Sequence, residues 1–328
     1  MMKFGTTAFA IGAASVAMYL SLASGSPLAI ILFLLAPLPL MAGAMGWGSY
    51  SAALGAIIAV FIIAVVFDFS LSLSFLVSVA VPGWWLGHLA LLGQDSGAGN
   101  GRASLTWYPV GRLIVWIVAL GSLITLVALL TLGSSGDEIN TGLQGIFKPL
   151  VDPHLPALRD RLQSIDPQAA AQWDEKAILD MLVNFAPVAI AVAITASLTL
   201  NLWLGARMIA SLGWLNRPWP DLRATRLPPM ILLVLFLAAS LCFLDGLPGM
   251  TARAATGALM TAYVLTGFAV LHTLTLELSG RSFWLASAYV IAVLFNWALI
   301  AIGLLGIADA LFAFRTRSPP REGRPPPL

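Results

Sequence analysis

Apolar stretches of about 20 residues recur along almost the whole chain and leave little room for anything else. A helix needs about 20 apolar residues to cross a bilayer core of roughly 30 Å, because its backbone hydrogen bonds must all be made within the segment. Only 10% of the 328 residues are charged, whereas soluble domains have about a quarter. The sequence therefore predicts an all-α, polytopic bundle of transmembrane helices, with the lipid bilayer as its first partner.

Nine spans are predicted on this basis. They cover residues 5–24, 27–45, 49–67, 70–92, 109–133, 182–212, 229–249, 255–278 and 283–306. Lys3 and the apolar and small residues after it also resemble a cleavable signal peptide, but further spans follow at once and favour an uncleaved helix. Pro37 and Pro39 interrupt the second span, and Pro82-Gly83 interrupts the fourth. Because proline breaks helical hydrogen bonding, both spans are predicted to be broken and to lie against protein or a cavity.

Three polar segments lie outside the predicted spans. The loop from Gly93 to Tyr108 is rich in glycine and serine, and we predict no order of its own. Residues 134–180 form an outward amphipathic hairpin with two open interpretations: it lies on the membrane surface, or it is a lid over a cavity mouth. Residues 315–328 are predicted to be a disordered Pro/Arg tail.

Arginines indicate which helix ends face the cytoplasm. Arg112, Arg217, Arg223 and Arg226 lie near the loops after the fourth and sixth spans, and such residues are concentrated in short cytoplasmic loops. Nine spans that start in the cytoplasm would put the C-terminal tail outside, although its arginines predict that it lies inside. Either one of the last three segments is re-entrant or two of the predicted spans are one span, so the count is eight or nine.

Several short motifs are typical of one bacterial family. Residues 37–56 read PLPLMAGAMGWGSYSAALGA, residues 201–208 read NLWLGARM before Arg217-Pro218-Trp219-Pro220, and residues 303–315 read GLLGIADALFAFR. Together they resemble the YybS-like membrane proteins, which carry a domain of unknown function, DUF2232. The resemblance covers nearly the whole chain and implies a multi-pass protein of the bacterial plasma (inner) membrane.

That family is remotely similar to the substrate-capture subunits of energy-coupling-factor vitamin transporters. Those subunits have six helices, both ends in the cytoplasm and a small-molecule pocket beneath outward loops. The resemblance implies a six-span core over residues 1–212, with 134–180 placed as the lid loop and additional spans in 213–314.

A helix face with alanines at four-residue spacing binds the coupling subunit in those transporters. Ala10 with Ala14, and Ala13 with Ala17, have this spacing here. The resemblance therefore implies a membrane-protein partner at the first helix, although packing within the chain uses the same spacing.

A weak candidate for a ligand site comes from ionisable and aromatic residues near the span ends. Broken helices in transporters expose backbone groups to polar ligands, and tryptophans can wall a pocket. The candidate residues are Asp68, Trp47, Trp84, Trp85 and His88. The alternative interpretation is structural, with His88 and its neighbouring tryptophans in an interfacial aromatic belt.

Signatures of catalysis, metal binding and nucleic-acid binding are missing from the sequence. The three histidines have no metal-ligand spacing, and no phosphate-binding glycine loop or nucleophile elbow occurs. A net charge of +2 does not favour nucleic acid. We therefore expect no enzymatic activity, cofactor or metal. Two functions remain open: small-molecule substrate capture or transport, and a non-transporting membrane scaffold or envelope-biogenesis factor.

Overall fold

Helices make up most of residues 2–96, 104–168 and 174–317, which the computed structural model describes. They are α1 Met2–Leu20, α2 Pro27–Leu34, α3 Leu38–Trp47, α4 Ser49–Val66, α5 Phe69–Phe75, α6 Val81–Ala90, α7 Val110–Leu130, α8 Gly136–Val151, α9 Leu155–Ile165, α10 Glu175–Ser211, α11 Met230–Leu241, α12 Gly246–Leu274, α13 Arg281–Leu294, α14 Asn296–Phe312 and α15 Phe314–Arg317. A π-helical turn, Leu76–Ala80, joins α5 to α6. The predicted all-α polytopic bundle is confirmed.

Within the described residues, seven helical segments are long and apolar enough to cross a membrane. They are Phe4–Ser24, Pro27–Trp47, Ser49–Val66, Phe69–Ala90, Val110–Leu130, Glu175–Ser211 and Gly246–Leu274. The first six agree closely with the first six predicted spans. Shorter apolar helices are Met230–Leu241, Arg281–Leu294 and Trp297–Phe312.

The two ends of the bundle differ in charge. The arginine end, as we call it, holds residues 93–96 and 104–107, the 212–229 loop and the start of α7, with Arg112, Arg217 and Arg226. The acidic end holds α8, α9 and the start of α10, with Asp137 and Asp180. Successive spans run between these two ends in alternating directions.

The N-terminal helices pack through close backbone contact. Gly12 of α1 and Gly55 of α4 approach so closely that a Cβ atom on either would meet the other helix's backbone. Small residues permit this approach in lipid, where helices associate mainly through van der Waals packing. Tyr19, Ile63 and Phe75 complete this part of the core.

The last three predicted spans have the wrong boundaries. The predicted span 229–249 is the 12-residue helix α11, and the chain turns before α12 starts at Gly246. α12 therefore begins earlier than the predicted 255. The predicted span 283–306 is two helices, α13 and α14, separated by the extended residue Phe295.

α13 and α14 form a C-terminal hairpin whose two ends both lie at the arginine end. Gly303 of α14 lies against Met260 of α12, and Gly306 lies against Tyr263, so α12 and α14 run in the same direction. Arg315, after α14, donates to a backbone carbonyl of the 212–229 loop. With α11 included, the described chain traverses the bundle eight times before this re-entrant hairpin. Arg315 therefore lies at the end of the bundle that its charge predicts.

A buried ion pair closes the hairpin. The guanidinium of Arg315 lies 2.7 Å from the Asp309 carboxylate, and the backbone N–H of Arg315 donates to the same carboxylate. Ala313 makes the turn between them with a φ of 51°. The folded chain thus extends to Arg317, inside the segment 315–328 that was predicted as a tail. Residues 318–328 lie outside the described residues.

The segment after α6 is more ordered than predicted. Gly93–Ser96 (β1) and Ser104–Trp107 (β2) pair as an antiparallel hairpin, and residues 97–103 lie outside the described residues. Arg217 ties this hairpin to the 212–229 loop, because its guanidinium donates to the Ala90 carbonyl at 2.9 Å and the Tyr108 carbonyl at 3.0 Å. Desolvation by burial lowers the pKa of Arg217.

The amphipathic segment 134–180 lies across the acidic end. Ile139 and Leu143 of α8 are buried in a cluster that includes Leu129 and Val183. α9 instead exposes apolar side chains, including Leu158 and Ile165. A lid would turn this face towards the bundle, so the exposure fits a position on the membrane surface better. Residues 169–173 lie outside the described residues.

Candidate functional site

The second span is broken where predicted, and α10 satisfies the carbonyl that the break leaves free. α2 ends at Leu34, one turn before Pro37 and α3. The Leu34 carbonyl accepts hydrogen bonds from Ser197 Oγ at 2.7 Å and from Asn201 Nδ2 at 2.8 Å. Asn201 is fully buried. The break therefore lies against protein, as predicted, and protein donors occupy the carbonyl that a ligand would need.

The fourth span is continuous, contrary to prediction. α5, the π turn and α6 form one helical segment, in which the Val81 N–H donates to the Leu76 carbonyl five residues back. The π turn precedes Pro82 and accommodates the ring without ending the helix. Gly83 packs against α3, where an added Cβ atom would lie 2.8 Å from the Leu40 Cβ. Pro82-Gly83 is thus a packing position in a continuous helix.

Asp68 and Trp47 lie apart from the other predicted site residues. Asp68 is at the acidic end, where its carboxylate accepts from the backbone N–H of Ser70 at 2.8 Å and of Leu71 at 3.3 Å. It is the N-cap of α5. Trp47 is exposed at the arginine end and packs edge-on against Trp214, with ring centroids 5.3 Å apart. The ring contact of Trp47 is thus with the 212–229 loop, and Asp68 caps a helix at the opposite end of the bundle.

Trp84, Trp85 and His88 do form one cluster, on α6. The imidazole of His88 stacks on Trp84 at a centroid distance of 6.2 Å and lies 5.9 Å from Trp85. Trp85 also packs edge-on against Trp116 of α7. The Trp84 Nε1–H donates to the Ser49 hydroxyl at 3.1 Å. Half-buried tryptophans at a helix end fit an aromatic belt, and within the described ranges no three His, Cys, Asp or Glu side chains are grouped to hold a metal ion.

An apolar groove runs along the side of the bundle between α4 and the α5–α6 segment. Its volume is about 500 Å³. Its walls are Ala53, Ala56, Ile57, Val60, Phe61, Ala64, Phe69, Ser72, Leu76, Ala80, Val81 and Trp84. The two polar side chains in this set already have partners, because Ser72 donates to the Val60 carbonyl and Trp84 donates to Ser49. The groove can therefore hold a hydrocarbon and offers little to a charged molecule.

The groove connects the neighbourhoods of two predicted residues that do not touch. It extends from Phe69, next to Asp68 at the acidic end, to Trp84 near the arginine end. The sequence analysis missed its floor, which consists of alanines on α4 and Ala80 on the π turn. The sequence did contain a signal for the groove. Its small residues lie close to large apolar residues that are exposed in the structure, such as Phe61 and Phe69.

A comparison with models of protein families identifies the family of the chain. The family model described as predicted membrane protein (DUF2232) matches residues 12–310. The chain belongs to the DUF2232 family. Searches of curated proteins and of solved structures find no significant match. The matched residues of this DUF2232 protein include the Leu34 break, the groove, all spans after the first turns of α1, and nearly all of the C-terminal hairpin.

Three of the four α1 alanines that the sequence suggested as a packing face point away from the core of this DUF2232 protein. Ala10, Ala14 and Ala17 are exposed, and Ala13 is half-buried. The packing face of α1 is instead formed by residues such as Gly12 and Tyr19. The face with Ala10, Ala14 and Ala17 is therefore open to lipid or to a partner.

Proposed function

We propose that this DUF2232 protein captures an apolar, membrane-soluble molecule in the groove between α4 and the α5–α6 segment. The observation that carries the proposal is the groove itself, which opens sideways from the bundle along the helices that bear Ile57, Phe61 and Phe69. Its volume of about 500 Å³ falls within the ~300–1,000 Å³ of small-molecule sites. A capture role is also what the resemblance of the sequence to substrate-capture subunits implies.

The shape of the groove favours a hydrocarbon chain over a compact polar vitamin. The α4 wall runs from Ala53 to Ala64, about 16 Å at 1.5 Å per residue. The polar side chains among its walls are already hydrogen-bonded, so a ligand rich in hydroxyl or charged groups would lose hydration without gaining partners. A single acyl or isoprenoid chain has no hydroxyl or charged groups along its length, so it avoids this cost.

The π turn gives further support. π-helical turns are rare, and they are frequently found at functional sites. This one supplies Leu76 and Ala80 to the groove. An α-helical turn would rotate the following residues and change the groove wall.

The test is photolabelling of the full chain in lipid nanodiscs with a diazirine-bearing fatty acid, followed by peptide mapping. We expect label on residues 53–64 and 69–84. Ala64→Phe fills the groove and should weaken labelling about tenfold, a difference of ~1.4 kcal/mol. Ala14→Phe is the matched control, because Ala14 is exposed outside the groove, and it should label like the wild type. Equal labelling of α11, or of the Ala64→Phe variant, would exclude the groove as a binding site.

The alternative function is a membrane scaffold that docks a protein partner on α1. The observation that favours it is the exposed face with Ala10 and Ala14, since small residues let a second helix approach closely. Cys242 is the one cysteine, so a Cys242→Ser background permits Ala14→Cys and Ala64→Cys to be crosslinked in native membranes. Specific protein adducts at position 14 and not at 64 would favour the scaffold over groove-based capture.

A further inference from the structure

A second cavity lies at the arginine end, between the start of α7 and the 212–229 loop, away from the groove. Its volume is about 360 Å³. It is lined by Pro109, Val110, Gly111, Asp221, Ala224, Thr225 and Arg226. These residues combine three features that favour an anion: a helix N-terminus, an unpaired hydroxyl and a free guanidinium.

The start of α7 forms part of the cavity wall, through Pro109, Val110 and Gly111. The Arg112 N–H already donates to the Pro109 carbonyl, which leaves the N–H groups of Val110 and Gly111 for a ligand. α7 is 21 residues long, and its N-cap, Pro109, supplies no side-chain hydrogen bond. The first N–H groups of a helix have no partner within it, and the helix dipole favours negative charge beside them. Gly111 is required for the geometry, because a side chain there would collide with the Arg226 carbonyl. The loop is thus held directly against the helix start.

Thr225 adds a polar group that lacks a partner. It is only 8% exposed, and its hydroxyl has no hydrogen-bond partner within the described chain. Leaving a buried hydroxyl unpaired is unfavourable by about 1–3 kcal/mol. Because Thr225 forms part of the cavity wall, a ligand oxygen in the cavity would be the natural partner for this hydroxyl.

The charge balance of the cavity also favours an anion. Asp221 is the one acidic residue among its walls, and its carboxylate is bound by Arg223, with Nε 2.9 Å from Oδ1. The hydrogen bond from Arg223 lowers the pKa of Asp221, so the two charges compensate each other over the neutral range. Arg226 is exposed and makes no ion pair within the described chain, so its charge is available.

We propose that this cavity binds a phosphate group, with Thr225, Arg226 and the first N–H groups of α7 as its ligands. A phosphate presents several strong acceptor oxygens that match one hydroxyl, one guanidinium and backbone N–H donors. The phosphate comes either from the headgroup of a lipid in the adjacent leaflet or from a soluble molecule. The proposal is independent of the groove.

Two arms of one experiment distinguish the sources. In the first, the full chain in phosphatidylcholine nanodiscs is titrated with inorganic phosphate against chloride at constant ionic strength, and the unfolding midpoint is followed. In the second, nanodiscs with phosphatidic acid are compared with nanodiscs that carry diacylglycerol, which has the same tails without phosphate. A rise in midpoint in either arm is expected, and the arm that responds identifies the source.

Variants test the site itself. Thr225→Val removes the hydroxyl at nearly constant size, and Arg226→Gln removes an exposed charge without disturbing the fold. Each should raise the phosphate concentration or lipid fraction for half-maximal response at least about tenfold, whereas Thr225→Ser should respond like the wild type. Arg159→Gln, at the acidic end, is the control for net charge.

Three results would overturn the proposal. They are no response in either arm, a wild-type response in both Thr225→Val and Arg226→Gln, or an equal loss in Arg159→Gln. If Thr225→Val does not fold, Arg226→Gln and Thr225→Ser still decide the outcome.

Discussion

The second and fourth spans both contain proline, yet they accommodate it in different ways. At Pro37 the helix stops and restarts, and the Leu34 carbonyl is bonded by Ser197 and Asn201 of α10. At Pro82 the helix continues, because a π turn precedes the ring. The first solution ties together parts of the chain that are far apart in sequence. The π turn before Pro82 forms no such long-range hydrogen bond, and it instead contributes to the wall of the groove.

The neighbours of each proline account for the difference. α10 faces the first site with an amide and a hydroxyl, which can satisfy a carbonyl released in the middle of the membrane. The second site faces α3 through Gly83 and Gly87, and the α3 atoms nearest them include the apolar side chains of Leu40 and Ala44. A side-chain donor on the neighbouring helix therefore accompanies the broken helix, and close apolar packing accompanies the continuous one.

The largest effect is expected from removing both donors at the first site. Asn201→Leu with Ser197→Ala should lower the free energy of unfolding by about 2 kcal/mol, because the Leu34 carbonyl is left unpaired. By comparison, an average interhelical hydrogen bond in a membrane contributes only ~0.6 kcal/mol, so the predicted loss is larger than that of one average bond. The measurement is unfolding in nanodiscs or mixed micelles. Ser240→Ala is the control, since its hydroxyl bonds to its own helix. A double variant no less stable than this control would contradict the proposed role of the donors.

A smaller effect is expected from crowding the second site. Gly83→Ala places a methyl group 2.8 Å from the Leu40 Cβ and should destabilise the fold by about 1 kcal/mol. At Gly5, where the surroundings are open, the same change should be neutral or stabilising by up to about 1 kcal/mol, because alanine favours helix. The measurement compares the unfolding free energies of the two variants, and Gly83→Ala should be the less stable relative to the wild type. Equal effects at both positions would show that α6 does not need close contact with α3.

The smallest effect is expected from removing the second proline. Pro82→Ala should change the unfolding free energy by less than about 0.5 kcal/mol, because the packing lost at this buried ring is offset by the higher helix propensity of alanine. Hydrogen exchange at residues 76–82 should slow if the turn reverts to α-helix, and labelling of the groove by the diazirine fatty acid should then fall. A loss of stability as large as that of the Asn201 double variant would mean that Pro82 holds the helix in place.

The first six spans were predictable because length and apolarity define them. The break at Pro37 was predictable for the same kind of reason, since the residue itself forbids a hydrogen bond. The partners of the break were not, because nothing local relates Asn201 to Leu34. The π turn has no signature in Leu76–Ala80, so the continuity of the fourth span depends on packing that the sequence does not display.

The C-terminal third was harder to predict because composition does not distinguish a crossing from a return. α11 and α12 are separated by residues 242–245, among which Phe243 and Leu244 are as apolar as the helices around them. The direction of α14 depends on Gly303 and Gly306 meeting α12, which is a tertiary contact. The groove was missed for a related reason, since the same alanines line a groove or a packed interface according to which face the neighbouring helix covers.

The ion pair between Asp309 and Arg315 has a consequence for how the protein is made. A lone carboxylate is costly to insert into a membrane, with an apparent cost of about 2.5–3.5 kcal/mol at the centre of a helix. Asp309 and its partner Arg315 are close in the chain and joined by one left-handed turn. Both charges therefore leave the ribosome almost together, and they can enter the bilayer as a neutral unit after the earlier helices have assembled. The C-terminal hairpin thus carries its own counter-ion, and the same arginine also fastens the hairpin to the 212–229 loop.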